Sequence, residues 1–354
     1  MADLDEHEVS PQNNIVFEIN RSESNKTLDL LTQIYKDYIK NRDYHEGSFS
    51  CEPIEDSNMN LVLKVCIDDH NWLIKHADPW VRKYPHIAAP VSRTSQEAKF
   101  YEAFGSNPKL RHLMPDYIGF NPSDNILALK FVEQSISAMS LYNIKNSKGI
   151  PNNLLQQAIS YLAKLQSITP PQSEDWSNLE LRKLNHTHMF EFPFNPDNGM
   201  DLNEFCPGLK QLANSFHRDH ELKKSCMALG HLYMKARGPA LLHGDFYPGS
   251  WLIKDSKVIV IDPEFCFLGP VEFDLGILLA HHLIIGGSSH ELASLIEGYK
   301  KQIDSSFFLD QDLCLRFCGA EVLRRLLGAA QLPINWGLDR YEAMLKLGRE
   351  YCIQ

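Results

Sequence analysis

The sequence predicts a two-lobed α+β fold, with a β-rich first lobe and a mainly helical second lobe. Apolar runs of strand length crowd into residues 50–130, whereas beyond residue 134 the apolar spacing changes to the three-and-four period of helices. A chain of 354 residues has room for one large core or two medium ones, since domains run on the order of 100 to 200 residues. The expected division is a polar N-terminus at 1–23, a first lobe at 24–133 and a second lobe at 134–354.

The opening residues bury little and are expected to be poorly ordered. Ser24 reads as a helix cap, and Leu28, Leu31, Ile34, Tyr35, Tyr38 and Ile39 follow it at helical spacing. NLVLKVCI and HNWLIKHA, parted by Asp68 and Asp69, read as a hairpin. SRTSQEAKFYEAF at 92–104 is rich in helix formers, and Ser92, Thr94 or Ser95 is available as its cap. DYIGF and ILALKFVE supply two further short strands. Strands, one helix and then two strands is the order of a protein-kinase-like N-terminal lobe. Beyond it, NNLLQQAISYLAKLQSI and the segments 220–236 and 312–331 read as helices, with a short β insert at 251–262.

Composition removes several classes of function. Hydrophobic residues at 44% and charged residues at 23% are the usage of a folded protein, not of a disordered one. A formal net charge of -10 counts against nucleic acid or an anionic membrane as the main partner, because both select clustered Lys and Arg. MADLDEHEVSPQNN has neither the basic nor the apolar region of a secretory signal, and no stretch approaches the roughly 18 apolar residues of a membrane span. The eight cysteines are scattered, which fits reduced thiols and a cytoplasmic location. Cys314 and Cys318 share a helix face but lack the further His or Cys ligands of a zinc site.

The segment that carries chemistry is LLHGDFYPGSWLIKDSKVIVIDPEFCFLGPVEFD, residues 241–274. His243-Gly244-Asp245 ends one apolar run and Asp262 ends a second, which sets two carboxylates at neighbouring loop mouths. Either aspartate alone is more often a plain turn residue. Together they match what phosphoryl transfer requires: one carboxylate to orient the acceptor hydroxyl and take its proton, here Asp245, and one to hold magnesium on the phosphates, here Asp262. Lys75 lies in an apolar strand, where an ammonium needs a partner, and Glu97 on the following helix is the best candidate.

These strings resemble the aminoglycoside phosphotransferase and choline kinase superfamily, in which a metal-binding Asn stands five residues after the Asp of HGD. Here that position is Ser250. HGDFYPGS, DPEFCFLGP and Phe273-Asp274 are similar to one branch, the methylthioribose kinases, and the likeness runs from about residue 50 to about residue 332. IEDSNMNLVLKV resembles the phosphate-covering loop of that branch, LIKHADPWVRKYP its third strand and following turn, and EVLRRLLGAA its late helix with two arginines. The resemblance implies ATP and Mg2+ as cofactors and the 1-hydroxyl of 5-methylthioribose, a sugar of methionine salvage, as acceptor. It implies Asp245 as base and substrate contact, and Asp262, Glu264 and Ser250 as magnesium ligands. Asn58, Asn60, Lys75 and Glu97 fall on the nucleotide side, with Lys130 and Val132 in a hinge at 129–133. Arg324 and Arg325 are implied as sugar contacts, although adjacent helical positions point about 100° apart, so one of the two is expected to face inward. Arg82 is a further candidate phosphate or substrate contact.

Two departures from the branch bear on activity. Ser57 replaces a Gly of the covering loop, and Phe246-Tyr247-Pro248 replaces Leu-His-Thr beside the catalytic Asp. Two other readings stay open on that account: a kinase of the same fold for an amino alcohol or aminoglycoside, and an inactive nucleotide-binding protein. The expected partner is a small-molecule sugar, with a homodimer open and with neither nucleic acid nor membrane as partner.

Overall fold

The computed structural model describes residues 50–354 apart from 55–58, 68–69, 236–237 and 239. The helix expected at 28–39, the Asp68-Asp69 turn, Ser57 and Asn58 lie outside the described residues.

The first lobe is built on an antiparallel sheet. Its strands are β1 (Ser50–Pro53), β2 (Leu61–Ile67) and β3 (His70–His76), followed later by β6 (Tyr117–Asn121) and β7 (Ile126–Lys130), in spatial order β1-β2-β3-β7-β6. The β2–β3 hairpin is the one read from NLVLKVCI and HNWLIKHA, and its register sets Lys75 opposite Val62. Between β3 and the first helix lies a small hairpin the sequence did not reveal, β4 (Trp80–Val81) with β5 (Tyr84–Ala88). Prolines at 79 and 85 hide it, because they interrupt the alternation that marks a strand.

Helix α1 (Ser92–Phe104) has the expected bounds but not the expected cap: Val91 occupies the cap position and makes no side-chain cap bond. The hydroxyls of Thr94 and Ser95 turn back to the carbonyls of Val91 and Ser92 instead. The helix packs on β6, β7 and the turn Pro263–Phe265, and so ties the sheet to the loop that carries Asp262.

The second lobe follows the short strand β8 (Ile136–Ser137). Its helices are α2 (Asn152–Gln166), α3 (Leu179–His186), α4 (Leu209–His217), α5 (His220–Lys235), α6 (Glu272–Ile284), α7 (Leu292–Lys300), α8 (Gln311–Leu327) and α9 (Leu338–Ile353). The helix expected at 312–331 ends four residues early because Gly328 leaves the helix in an extended conformation. α6 and α8 pack on each other at the centre, α6 buried along its whole length and α8 from Phe317 onward. A helix buried all round belongs to a core. Cys314 and Cys318 are free thiols in α8, and burial raises the pKa of both.

Four short strands position the chemistry. β9 (Ala240–Leu242) runs into His243-Gly244-Asp245, and β10 (Trp251–Lys254) with β11 (Lys257–Val260) forms the hairpin that runs into Asp262. β12 (Phe267–Gly269) returns beside β9, with Phe267 opposite Leu242. That pairing brings the two aspartate loops side by side.

Candidate active site

The His243-Gly244-Asp245 loop is held from beneath by Asp274, the Asp of the FD pair. Its carboxylate accepts the backbone N–H of His243 at 2.7 Å and of Gly244 at 3.0 Å. Burial pushes the Asp274 carboxyl up to about 6 against the pull of those two amides. His243 is fully buried and burial lowers its pKa, so the ring is neutral. Its Nε2 carries the proton, because it faces the carbonyl of Ile261 at 2.9 Å, and Nδ1 is left to accept from the amide of Asp245. Gly244 turns at φ +88°, and a Cβ there would lie 2.1 Å from the carbonyl oxygen of Phe265. Only glycine fits that turn. Ser250 braces the loop from the other side, its hydroxyl donating to the carbonyl of Asp245 at 2.7 Å.

On one side of Asp245 the structure gathers Lys75, Glu97, Asp262, Glu264 and Asn60. Lys75 is 3% exposed. Its ammonium donates to Glu97 Oε1 at 2.8 Å and Oε2 at 3.0 Å, and also to Asp262 Oδ1. Burial alone would lower the lysine's pKa, but Asp262, Glu97 and Glu264 together raise it above its ordinary value, so it stays charged. Asp262 sits in the left-handed region at φ +62° and keeps its side chain 39% exposed to the cleft. Glu264 is turned toward the covering segment, where its Oε2 accepts from Asn60 Nδ2 at 2.9 Å. Asn60 Oδ1 in turn accepts from Nε of Arg93 at 2.6 Å, and Arg93, fully buried, also holds the carbonyl of Met59 at 3.0 Å. The covering segment is thereby latched to the Asp262 loop by three side chains, one of which, Arg93, carries no sequence signal beyond being a charge in the first turn of α1. Asn60, Lys75, Asp262 and Glu264 border a cavity of about 340 Å³, and Lys130 and Val132 border it too. Lys130 is exposed, with its Nζ 3.7 Å from Asp116.

On the other side of Asp245 lie both arginines, which corrects the expectation that only one faces inward. Arg324 Nη1 is 3.3 Å and Arg325 Nη2 is 3.2 Å from Asp245 Oδ1, and both residues are buried. α8 is enclosed on all sides at this point, so two directions 100° apart are both interior, and the long side chains converge. Glu321, one turn earlier and fully buried, accepts from both of them. Among the described residues no hydrogen bond reaches Asp245 Oδ2. The two arginines, Asp245, Tyr247 and His188 border a second cavity of about 130 Å³, and Asp245 and Tyr247 line both cavities. Arg82 is exposed and absent from both linings, whereas its neighbour Lys83 borders the smaller one, so the basic side chain there is one position later than expected. Of Phe246-Tyr247-Pro248, Phe246 is fully buried and stacks on Tyr161. Tyr247 alone of the three reaches the cavities, its ring 4.1 Å from the Arg325 guanidinium.

A half-open carboxylate flanked by a lysine-carboxylate cluster and by paired guanidiniums has the groups that phosphoryl transfer requires. The comparisons with known proteins agree with it. The model of the phosphotransferase enzyme family matches residues 67–307, and the chain belongs to that family. Its fold and family make it a phosphotransferase that acts on an alcohol group. It is similar to the methylthioribose kinase of Bacillus mycoides (strain KBAB4), 26% identical over 88% of this chain and 90% of that one. It is also similar to the methylthioribose kinase of Bacillus cereus (strain ATCC 10987 / NRS 248), 28% identical over 77% of this chain and 70% of that one. Among solved structures, the choline kinase of Cryptosporidium parvum Iowa II shares the two-lobed fold with a TM-score of 0.52 at 12% identity, covering 92% of this chain and 94% of that one.

Proposed function

We propose that the protein is an ATP- and Mg2+-dependent kinase that transfers the γ-phosphoryl group to the 1-hydroxyl of 5-methylthioribose. The observation that carries this reading is the pair Arg324 and Arg325 on Asp245 at the wall shared by the two cavities. A neutral sugar needs hydrogen-bond donors, and a guanidinium offers five in a fixed fork, whereas the quaternary ammonium of a choline-like alcohol can accept none of them. Val81, Ile87, Leu184 and Leu332 in the same cavity give the methylthio group an apolar end. The names of the Bacillus relatives favour the same acceptor.

On this reading 24–133 covers the nucleotide, 134–354 holds the acceptor, and 129–133 is the hinge. Oδ1 of Asp245 is held by the arginines while Oδ2 accepts the proton of the attacking hydroxyl. Lys75, kept charged by its three carboxylates, turns to the phosphates. The donor set suits a hard cation: the half-open Asp262 carboxylate is the main ligand, a lone pair of Ser250 Oγ the second, and Glu264 a ligand through whichever oxygen Asn60 does not hold. When bound, magnesium neutralises charge on the transferred group.

The test is incubation with MgATP and methylthioribose, followed by 31P NMR. A new anomeric monophosphate signal, formed with ADP in equal amount and lost in Asp245→Asn, is the expected result. Phosphate at another carbon, or ADP without a phosphorylated sugar, contradicts the reading.

A further inference from the structure

Beneath the two arginines lies a chain of buried polar groups that the reaction itself does not touch. Glu321 Oε1 accepts from Arg325 Nε at 2.5 Å and from His281 Nε2 at 2.9 Å, and its Oε2 accepts from Arg324 Nη1 at 3.1 Å. Glu321 and His281 are both 0% exposed. On its other nitrogen, Nδ1, His281 meets the hydroxyl of Tyr142 at 2.5 Å. Burial lowers His281 to about 4, so the ring is neutral and carries one proton. Burial alone would raise the Glu321 pKa, but Arg324 and Arg325, with the His281 hydrogen bond, outweigh it and hold the carboxyl below its usual range, so Glu321 only accepts. The proton is therefore on Nε2, and the Tyr142 hydroxyl donates to Nδ1.

We propose that Glu321, oriented by the Tyr142–His281 pair, is the positioning residue that aims Arg324 and Arg325 at Asp245 and the acceptor, and that it thereby sets acceptor affinity. The charges support it. Asp245 and Glu321 together balance the two guanidiniums, so the four form a charge-balanced set, buried at Glu321 and the arginines and open to the cavities at Asp245. Arg325 is gripped at two points, Nε by Glu321 behind and Nη2 by Asp245 in front, which fixes the plane of its guanidinium, while Nη1 of Arg324 is shared by the same two carboxylates. Without Glu321 two buried cations would face one carboxylate, and the set would have to open. His281 comes from α6 and Tyr142 from the turn after β8, so three separate segments fix one carboxylate. The inference rests on the kinase reading above.

The experiment compares wild type, Glu321→Gln, His281→Phe and His281→Gln, the last keeping a donor where Nε2 stood. Acceptor kinetics at saturating MgATP are measured beside the 15N–1H signal of Arg325 Nε, assigned through Arg325→Lys. Glu321→Gln and His281→Phe are expected to raise the acceptor KM at least tenfold with the MgATP KM within twofold, and to move the Arg325 Nε–H proton upfield. His281→Gln is expected to recover most of both. A folded Glu321→Gln protein with unchanged acceptor KM, or with both KM values raised alike, overturns the proposal. If methylthioribose is not a substrate but another alcohol is, the acceptor reading fails and the same comparison runs with that alcohol. If no acceptor is found, the Arg325 signal decides: an unmoved signal in Glu321→Gln overturns the proposal, and a shift reversed in His281→Gln supports it.

Discussion

Asp245 works through three separate constraints: its backbone is fixed by His243 and Ser250, its Oδ1 by two arginines, and its position by the pairing of β9 with β12. Asp245→Asn keeps the shape and removes the proton acceptor. Turnover should fall by about a hundredfold or more, the usual contribution of a general base, while MgATP affinity measured by calorimetry stays within about twofold. Near wild-type turnover would remove Asp245 from the chemistry. Glu97 is predicted to act on the nucleotide alone. With Glu97→Ala the Lys75 ammonium keeps only Asp262 as a direct partner, and losing a charged hydrogen bond of about 1.5–3 kcal/mol should raise the ATP KM about tenfold or more with little change in the acceptor KM. Lys75 was legible because it is a charge set in an apolar strand, Glu97 as the acid on the following helix that could pair with it, and the two aspartates because each ends an apolar run. The amphipathic argument misjudged the arginines, because it assumes that a helix has a solvent side and α8 has none at that point.

At the scale of elements, the His243-Gly244-Asp245 loop depends on α6 through Asp274. Its folded-state pKa of about 6 lies above the unfolded value near 3.9, so the folded protein holds that proton more tightly. The resulting contribution to stability is fully present below about pH 4 and is lost as pH rises through 6, amounting to roughly 3 kcal/mol for a shift of about two units. Asp274→Asn should flatten this part of the profile, as read from urea midpoints between pH 4 and pH 7, and equal slopes in the two proteins would refute it. The helices α1, α2, α5 and α8 and the β2–β3 hairpin could be read because their patterns are long, whereas α3, α4, α6, α7 and α9 were not read from the sequence. The β4–β5 hairpin, the uncapped start of α1 and the early end of α8 could not, since each is decided by one or two residues against the tertiary background. Of the polar scaffold, only Asp274 was singled out in the sequence, as part of Phe273-Asp274, whereas His281 and Glu321 are titratable residues inside the helices EFDLGILLAHHLI and QDLCLRFCGAEVLRRLL that sequence reasoning passed over. A buried charge in a core helix needs a partner; the arginines beside Glu321 are near in sequence, but the partners of Asp274 and His281 lie 30 residues away or farther, and spacing alone does not connect them.

At the scale of the molecule, one carboxylate stands where two cavities meet, the larger walled by the sheet and the Asp262 loop, the smaller by α8 and the β4–β5 hairpin. Lys75 lines the first and the arginine pair the second, and on the proposed function that division is what would separate a sugar kinase from a kinase of cationic alcohols on the same fold. The direct measurement is kcat/KM with MgATP for methylthioribose, ribose, choline, ethanolamine and an aminoglycoside, run on wild type and on Arg324→Met and Arg325→Met. Methylthioribose should lead the panel, and each substitution should lower its kcat/KM at least tenfold, the loss of a charge-assisted hydrogen bond, while ATP binding is retained. A leading cationic alcohol, or methylthioribose turnover indifferent to both arginines, would contradict a sugar site built on Arg324, Arg325 and Asp245.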